Sequence, residues 1–290
     1  MSLIQLSKDF GSLKAQVVVI SGGASGIGEA YVRLARSQGA YVFFGDLDRE
    51  RGQRVAEETG ATFVCTNVTQ YKDQLNLFGQ AFKEHGRIDH AIANAGIYEP
   101  TGLFDPSSDL QSLEKEPRTA IIDVNLHGAL LFAHIAAVYL RQGKSATDNT
   151  SLTFVASTAG VVCPAGTPAY NATKCGMIGL SRTLAQSLPA SHGIRVNCVC
   201  PSVTETPLSA LHVLPLFRQL QLPVNSAHEL AQTLAGVDCD STLNGKVLYV
   251  EGGQSWDIEE GLNETRTTWL GPSIINTLDK VAEYVKQNKG

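Results

Sequence analysis

Short apolar, β-branched runs alternate along this chain with longer segments in which apolar side chains return every three or four positions. The runs are VVVIS from Val17, YVFFGD from Tyr41, TFVCTNV from Thr62, IDHAIANAG from Ile88, Leu152 to Ala156, IRVNCVC from Ile194 and KVLYV from Lys246. A continuous apolar run of this length reads as a strand buried on both faces, and the 3.6-residue period reads as a helix with one face on a core. The helical segments predicted are 26–37, 49–58, 70–84, 118–141 and the stretch around 170–174. Strands that alternate with helices imply βαβ units, because parallel neighbours need a crossover long enough to hold a helix. The expected architecture is α/β: a doubly wound parallel sheet of about seven strands, with helices on both faces.

Composition narrows what such a fold does here. The 290 residues have ordinary hydrophobic content, enough for one globular domain, and a formal charge of −5 gives no basic footprint for nucleic acid. No run is expected to approach the roughly 18 apolar residues of a membrane span, the N-terminal segment lacks a signal peptide's apolar core and the C-terminal QNKG is no peroxisomal address, so a cytosolic location is expected. The six cysteines lack metal-ligand spacing and read as free thiols mostly within apolar runs. Cys163 stands apart, because it follows Ser157 in an expected loop beside the reacting site. No metal is called for.

Two local patterns carry chemistry. The first is Ser21-Gly22-Gly23-Ala24-Ser25-Gly26-Ile27-Gly28, placed after one strand and at the start of a helix. Glycines there let the backbone turn sharply and let a pyrophosphate approach free N–H groups at the positive end of a helix dipole. Asp46 closes the next strand, 18 residues beyond Gly28. A carboxylate at that point accepts hydrogen bonds from both adenosine ribose hydroxyls and repels a 2′-phosphate, and no arginine directly follows it, so NAD is expected rather than NADP. The second pattern is Ser157 at the end of a strand, followed by Tyr170 and Lys174 four apart. On a helix that spacing puts phenol and ammonium on one face, where the positive charge favours the phenolate.

Together with Asn94-Ala95-Gly96, Asn125 and Asn197-x-x-x-Pro201, these motifs resemble the short-chain dehydrogenase/reductase family in order and separation over about 250 residues. The resemblance is to its single-domain members with an Asn, Ser, Tyr and Lys catalytic set on a Rossmann-type sheet. It implies that Tyr170 is the general acid/base, that Ser157 bonds the same substrate oxygen, that Lys174 lowers the Tyr170 pKa and binds the nicotinamide ribose, and that Asn125 holds a water for proton relay. It also implies cofactor contacts from Gly22, Ser25, Gly26, Ile27, Asp46 and Leu47, from Asn67 and Val68 at the adenine, and from Asn94, Ala95 and Gly96 along the ribose. Tyr170, Lys174, Pro201 and Val203 complete the cofactor set at the nicotinamide end. Three positions depart from the family's usual pattern: Asn67 stands for Asp, with an oxygen still able to accept from the adenine amino group; Ser202 stands for Gly, adding a side chain near the nicotinamide; and Ser21 stands for Thr, keeping the hydroxyl.

Substrate choice is expected in Val161–Pro168 and in the leucine-rich segment 206–223, which reads as a lid over an apolar pocket or as a packed helix or subunit contact. His212 within it reads as a surface residue. Residues 254–290 run beyond where a compact family member ends, and Trp256, Trp269 and the helical period of Ile274–Val285 predict an extension packed on residues 1–253 or on a neighbouring subunit. Family members are commonly dimers or tetramers, so a homodimer or homotetramer is expected. The reading is an NAD-dependent oxidoreductase acting on a lipophilic secondary alcohol or ketone. Its alternatives are an NADPH-dependent reductase of a biosynthetic ketone and a non-catalytic dinucleotide-binding sensor or scaffold.

Overall fold

The structure, a computed structural model, describes residues 1–98, 104–145 and 148–287. The strands in chain order are β1 Ser2–Ile4, β2 Val17–Ser21, β3 Tyr41–Asp46, β4 Thr62–Cys65, β5 His90–Ala93, β6 Thr150–Val155, β7 Ile194–Pro201, β8 Thr204–Glu205, β9 Asn225–Ser226, β10 Val247–Glu251 and β11 Gln254–Asp257. Nine of them form one sheet in the order β1-β11-β10-β7-β6-β5-β2-β3-β4. Every pairing from β10 to β4 is parallel, which is the predicted sheet. Two antiparallel strands extend it, because β11 doubles back on β10 and the N-terminal β1 pairs with β11. The chain therefore brings its first residues against the strand that follows Gly253.

Alternation along β2 divides the core in two. Val17 and Val19 face a layer with Phe78, Phe132, Leu152 and Met177, whereas Val18 and Ile20 face one with Tyr31, Val32, Phe44, Leu230 and Leu234. Both faces are apolar, as a sheet covered by helices on each side requires. The helices Gly26–Ser37 and Ala227–Cys239 lie over the second layer. Tyr71–His85, Ala120–Tyr139 and Pro168–His192 lie over the first. Helix ends follow their sequence signals: Asp48 accepts from Arg51 N at 3.0 Å to start Arg49–Thr59, and Gly60 ends it in a left-handed conformation.

The helix Ala120–Tyr139 is long and apolar enough by length and composition to cross a membrane, with a mean hydropathy of 1.6. This differs from the expectation that no run approaches the length of a membrane span. Its Ile121, Ala129, Phe132, Ala133, Ile135 and Ala136 are buried within the fold, which accounts for the apolar run without a bilayer. One turn of it, Asp123–His127, is a π-helix, a local widening often found where a helix serves a site.

After β11 come the helices Ile258–Glu264, Arg266–Leu270 and Pro272–Gln287. The predicted anchor Trp256 belongs to β11, whereas Trp269 is exposed, as are Ile274, Leu278 and Val281 on the last helix. The predicted lid segment holds two short helices, Pro207–Ala210 and Leu214–Gln219.

Candidate active site

Every predicted site residue lies at or beyond the carboxyl ends of the parallel strands β2 to β7, or on the helices that face those ends. β2 is the strand between β5 and β3, so chain order reverses there and the loops on either side splay apart into a crevice. The glycine-rich turn leaves β2 at this switch point. Gly22 has φ 72° and Gly26 has φ 56°, conformations that a side chain disfavours. A Cβ on Gly28 would lie 2.0 Å from the carbonyl oxygen of Gly22, and one on Gly22 would lie 2.8 Å from Ala95 Cα. The loop thus needs these glycines to close on itself. Ser25 precedes the helix without a side-chain cap, so the first-turn N–H groups of Gly26–Ser37 remain available to an anion.

Asn94 ties the turn down by donating from Nδ2 to the carbonyl oxygens of Ser21 at 3.0 Å and Gly22 at 2.9 Å. The Ser21 hydroxyl accepts from Asn94 N and Ala95 N, each at 3.1 Å, which is the use the retained hydroxyl finds. At the end of β3, Asp46 Oδ2 accepts from Ala24 N at 3.0 Å and Oδ1 from Asp48 N at 3.1 Å. Each carboxylate oxygen keeps one lone pair for a further donor. Leu47 beside it is exposed, and Ile27 is partly buried. These features fit a dinucleotide: an uncapped helix start for its phosphates and a carboxylate for its ribose.

Asn67 differs from expectation. Its Oδ1 accepts from both the N and Oγ1 of Thr69, at 3.0 and 2.9 Å, so both lone pairs of the oxygen intended for the adenine amino group are occupied. Val68 is buried against Gly128. Ser202, at the other end of the crevice, donates its hydroxyl to Glu251 Oε1 at 3.2 Å, and its N–H donates to Val250 O at 2.7 Å. It sits between the buried Pro201 and the half-buried Val203.

The structure brings Ser157, Tyr170, Lys174 and Asn125 together. Ser157 follows β6, accepts from Ala159 N at 3.1 Å, and its hydroxyl is close enough to the Tyr170 phenol to favour the phenolate. Tyr170 and Lys174 share one face of Pro168–His192, with Lys174 Nζ 5.6 Å from the centroid of the Tyr170 ring. That ammonium donates to Val155 O at 3.1 Å and approaches Met177 Sδ at 3.7 Å. Burial pushes the Lys174 ammonium down to about 8. Burial also raises the phenol of Tyr170, against the opposing pull of the Ser157 hydroxyl. The sequence predicted a phenol lowered by Lys174. In the structure burial raises the phenol instead, and the Lys174 ammonium is turned to Val155 O.

Asn125, fully buried in the π-helical turn, pairs with the backbone of Ile97: its Oδ1 accepts from Ile97 N at 2.8 Å and its Nδ2 donates to Ile97 O at 2.9 Å. Gly96 lies between Asn125 and Lys174, where a Cβ would come within 3.3 Å of Asn125 Oδ1 and 3.5 Å of Lys174 Nζ. Three residues also line the crevice in ways the sequence did not indicate. Tyr98 meets the Tyr170 ring edge-on, with centroids 5.2 Å apart, and stacks on His212 at 4.7 Å. His212 lies on the exposed side as predicted, yet it connects the lid segment to the reacting side. Thr206 reaches across to the phosphate turn, 3.1 Å from a Cβ placed on Gly26. No local pattern pairs it with a turn so far back in the chain.

A Ser–His–Asp grouping also exists, with His90 Nδ1 2.8 Å from Ser151 Oγ and Ser151 donating to Asp238 Oδ1 at 2.9 Å. All three side chains are sealed in the core, where no substrate reaches them.

Residues 16–213 match the family model for short chain dehydrogenases. The chain is a short-chain dehydrogenase/reductase. Across 93% of its length it is 34% identical to the short-chain dehydrogenase/reductase prx4 of Penicillium rubens, covering 84% of that protein. It is 31% identical to the mitochondrial borneol dehydrogenase of Lavandula x intermedia, over 84% of this chain and 92% of the relative. Among solved structures it resembles the 3-ketoacyl-(acyl-carrier-protein) reductase of Brucella melitensis in complex with NADH, with a TM-score of 0.73, 26% identity, and coverage of 83% of this chain and 98% of the other. This short-chain dehydrogenase/reductase accordingly has an NAD(P)-binding Rossmann fold and belongs to a family of oxidoreductases that act on small substrates.

Proposed function

We propose that this chain is an NAD-dependent dehydrogenase of lipophilic secondary alcohols, or of the matching ketones in reverse, with Tyr170 as its proton carrier. The observation that carries the reading is the convergence of Ser157, Tyr170 and Lys174 beside an uncapped phosphate turn. Tyr170 takes the proton of the alcohol hydroxyl while Ser157 holds the same oxygen, and the buried setting of the phenol leaves water little access to that oxygen. Bound NAD would supply the hydride acceptor and a positive charge that favours the phenolate. Lys174, at about 8, exchanges a proton near neutral pH and offers an N–H to a ribose hydroxyl. Asn125 fixes the Ile97 backbone next to Gly96 and so holds the wall against which Lys174 rests.

Asp46 supports NAD over NADP, because a 2′-phosphate would stand against its carboxylate. Among the arginines that follow Asp46, Arg51 is engaged with Asp48 at 3.4 Å. The NADH in the Brucella structure also supports NAD, and the alcohol in the name of the lavender enzyme supports an alcohol substrate. Tyr98 against the Tyr170 ring, and the exposed leucines Leu208 and Leu211 of the segment that brings His212 to Tyr98, support an apolar substrate. A homodimer or homotetramer is supported by Ile122, Leu130 and Val138, which stay exposed on the apolar helix Ala120–Tyr139. Two measurements test the reading: binding titrations with NAD(H) and NADP(H), and reduced-cofactor absorbance across a panel of lipophilic secondary alcohols. Equal affinities, or no turnover of any member of the panel or of the corresponding ketones, would overturn it.

A further inference from the structure

Cys163 ends the short helix Ala159–Val162 in a left-handed backbone conformation, φ 47°, and is exposed. Its Sγ lies 3.4 Å from Sγ of Cys175, the residue that follows Lys174 on the long helix. Cys175 Sγ also donates to Gly160 O at 3.3 Å. The two backbones touch at this point, since a Cβ on Gly160 would come within 2.6 Å of the Lys174 carbonyl carbon. Two sulfurs in van der Waals contact need a shift of only about 1.4 Å to reach bonding distance, which side-chain rotation supplies. Another close pair, Cys198 and Cys200 at 3.8 Å, is fully buried within β7 and has no path for an oxidant.

We propose that Cys163 and Cys175 form an oxidisable dithiol, with a low-molecular-weight disulfide such as oxidised glutathione as its oxidant. The thiolate of exposed Cys163 attacks one sulfur of the oxidant; that S–S bond breaks and one glutathione thiolate leaves with the electron pair. Cys175 then gives its proton to solvent and attacks Cys163 Sγ, and the second glutathione thiolate leaves. Both departing thiolates are protonated at neutral pH. Two protein thiols are oxidised by two electrons, and one small disulfide is reduced to two thiols. Cys163 takes the first step because it is exposed. Cys175 takes the second, since burial and its neighbour push its thiol up and keep it from reacting first.

The bond ties the turn that carries Ser157 to the helix that carries Tyr170 and Lys174, at the start of the Val161–Pro168 loop. The chemistry does not depend on the identity of the cofactor or of the alcohol. It is tested on the full chain, reduced, freed of reductant and exposed to oxidised glutathione, then mapped by mass spectrometry of non-reduced peptides. The expected products are a Cys163–Cys175 linked peptide in the parent protein, reversible by dithiothreitol, and a glutathione adduct held on Cys163 in C175S. Six intact thiols in the parent protein would overturn the proposal. So would a stable Cys163 adduct without the internal link, or Cys163 bonded to a second chain on a non-reducing gel.

Discussion

Replacing Tyr170 by Phe removes one oxygen and keeps a ring packed among Ile121, Ala159 and Ala169 and edge-on to Tyr98. Three local effects fix the expected size of the change. The polar interaction between the phenol and Ser157 is lost, at a cost of at most about 1 kcal/mol. Ser157 retains the N–H of Ala159 at 3.1 Å, so its hydroxyl is not left unpaired. The buried phenol no longer has to be desolvated, which offsets part of the first cost. The melting temperature should therefore move by no more than about 4 °C, and NAD affinity should hold. Turnover should fall by about 10²- to 10⁴-fold, or about 2.7–5.4 kcal/mol of barrier. Initial rates of reduced-cofactor formation with a responsive secondary alcohol, set beside a thermal melt and a cofactor titration, separate these effects. In the parent enzyme, oxidation should quicken as pH rises, because the base must lose its proton, and burial holds that proton on Tyr170 more firmly than water does. Near-full activity in Tyr170→Phe, with the melt unchanged, would refute the assignment of the proton carrier.

Asp46→Ala should narrow the preference for NAD(H) over NADP(H) in titrations, and a preference that stays the same would remove Asp46 from cofactor choice. His90 is sealed in the core with its pKa lowered by burial, so the unfolded chain binds a proton that the folded chain refuses. Stability is then lost as pH falls below the unfolded value of about 6.5, by up to about 1.4 kcal/mol per pH unit. A melting temperature that is flat from pH 7 to 5 would contradict this. Truncation after Gly253 deletes β11, the strand that joins β1 to β10, together with the Asp257 partner of Lys246 at 2.6 Å. It should lower the melting temperature by more than about 4 °C, whereas truncation after Leu270 should leave it within about 2 °C; equal losses in the two would show that the last helix carries the stability.

Local rules were enough for much of this protein. Strand and helix periods, the glycines before Gly26–Ser37 and the four-residue step from Tyr170 to Lys174 are short-range patterns, and backbone geometry converts each directly into structure. Asp46 was legible for the same reason, since the end of a strand is also the rim of the sheet. What the sequence left open depends on which distant segments meet. The pairing of Ser2–Ile4 with Gln254–Asp257 joins segments from opposite ends of the chain, and no local pattern encodes so distant a partner. The same holds for Tyr98 between Tyr170 and His212, for Thr206 against Gly26 and for Cys163 against Cys175. The Tyr170 phenol is the clearest case: spacing placed a cation near it, but its pKa follows the water excluded by the whole fold, and only packing decides that balance.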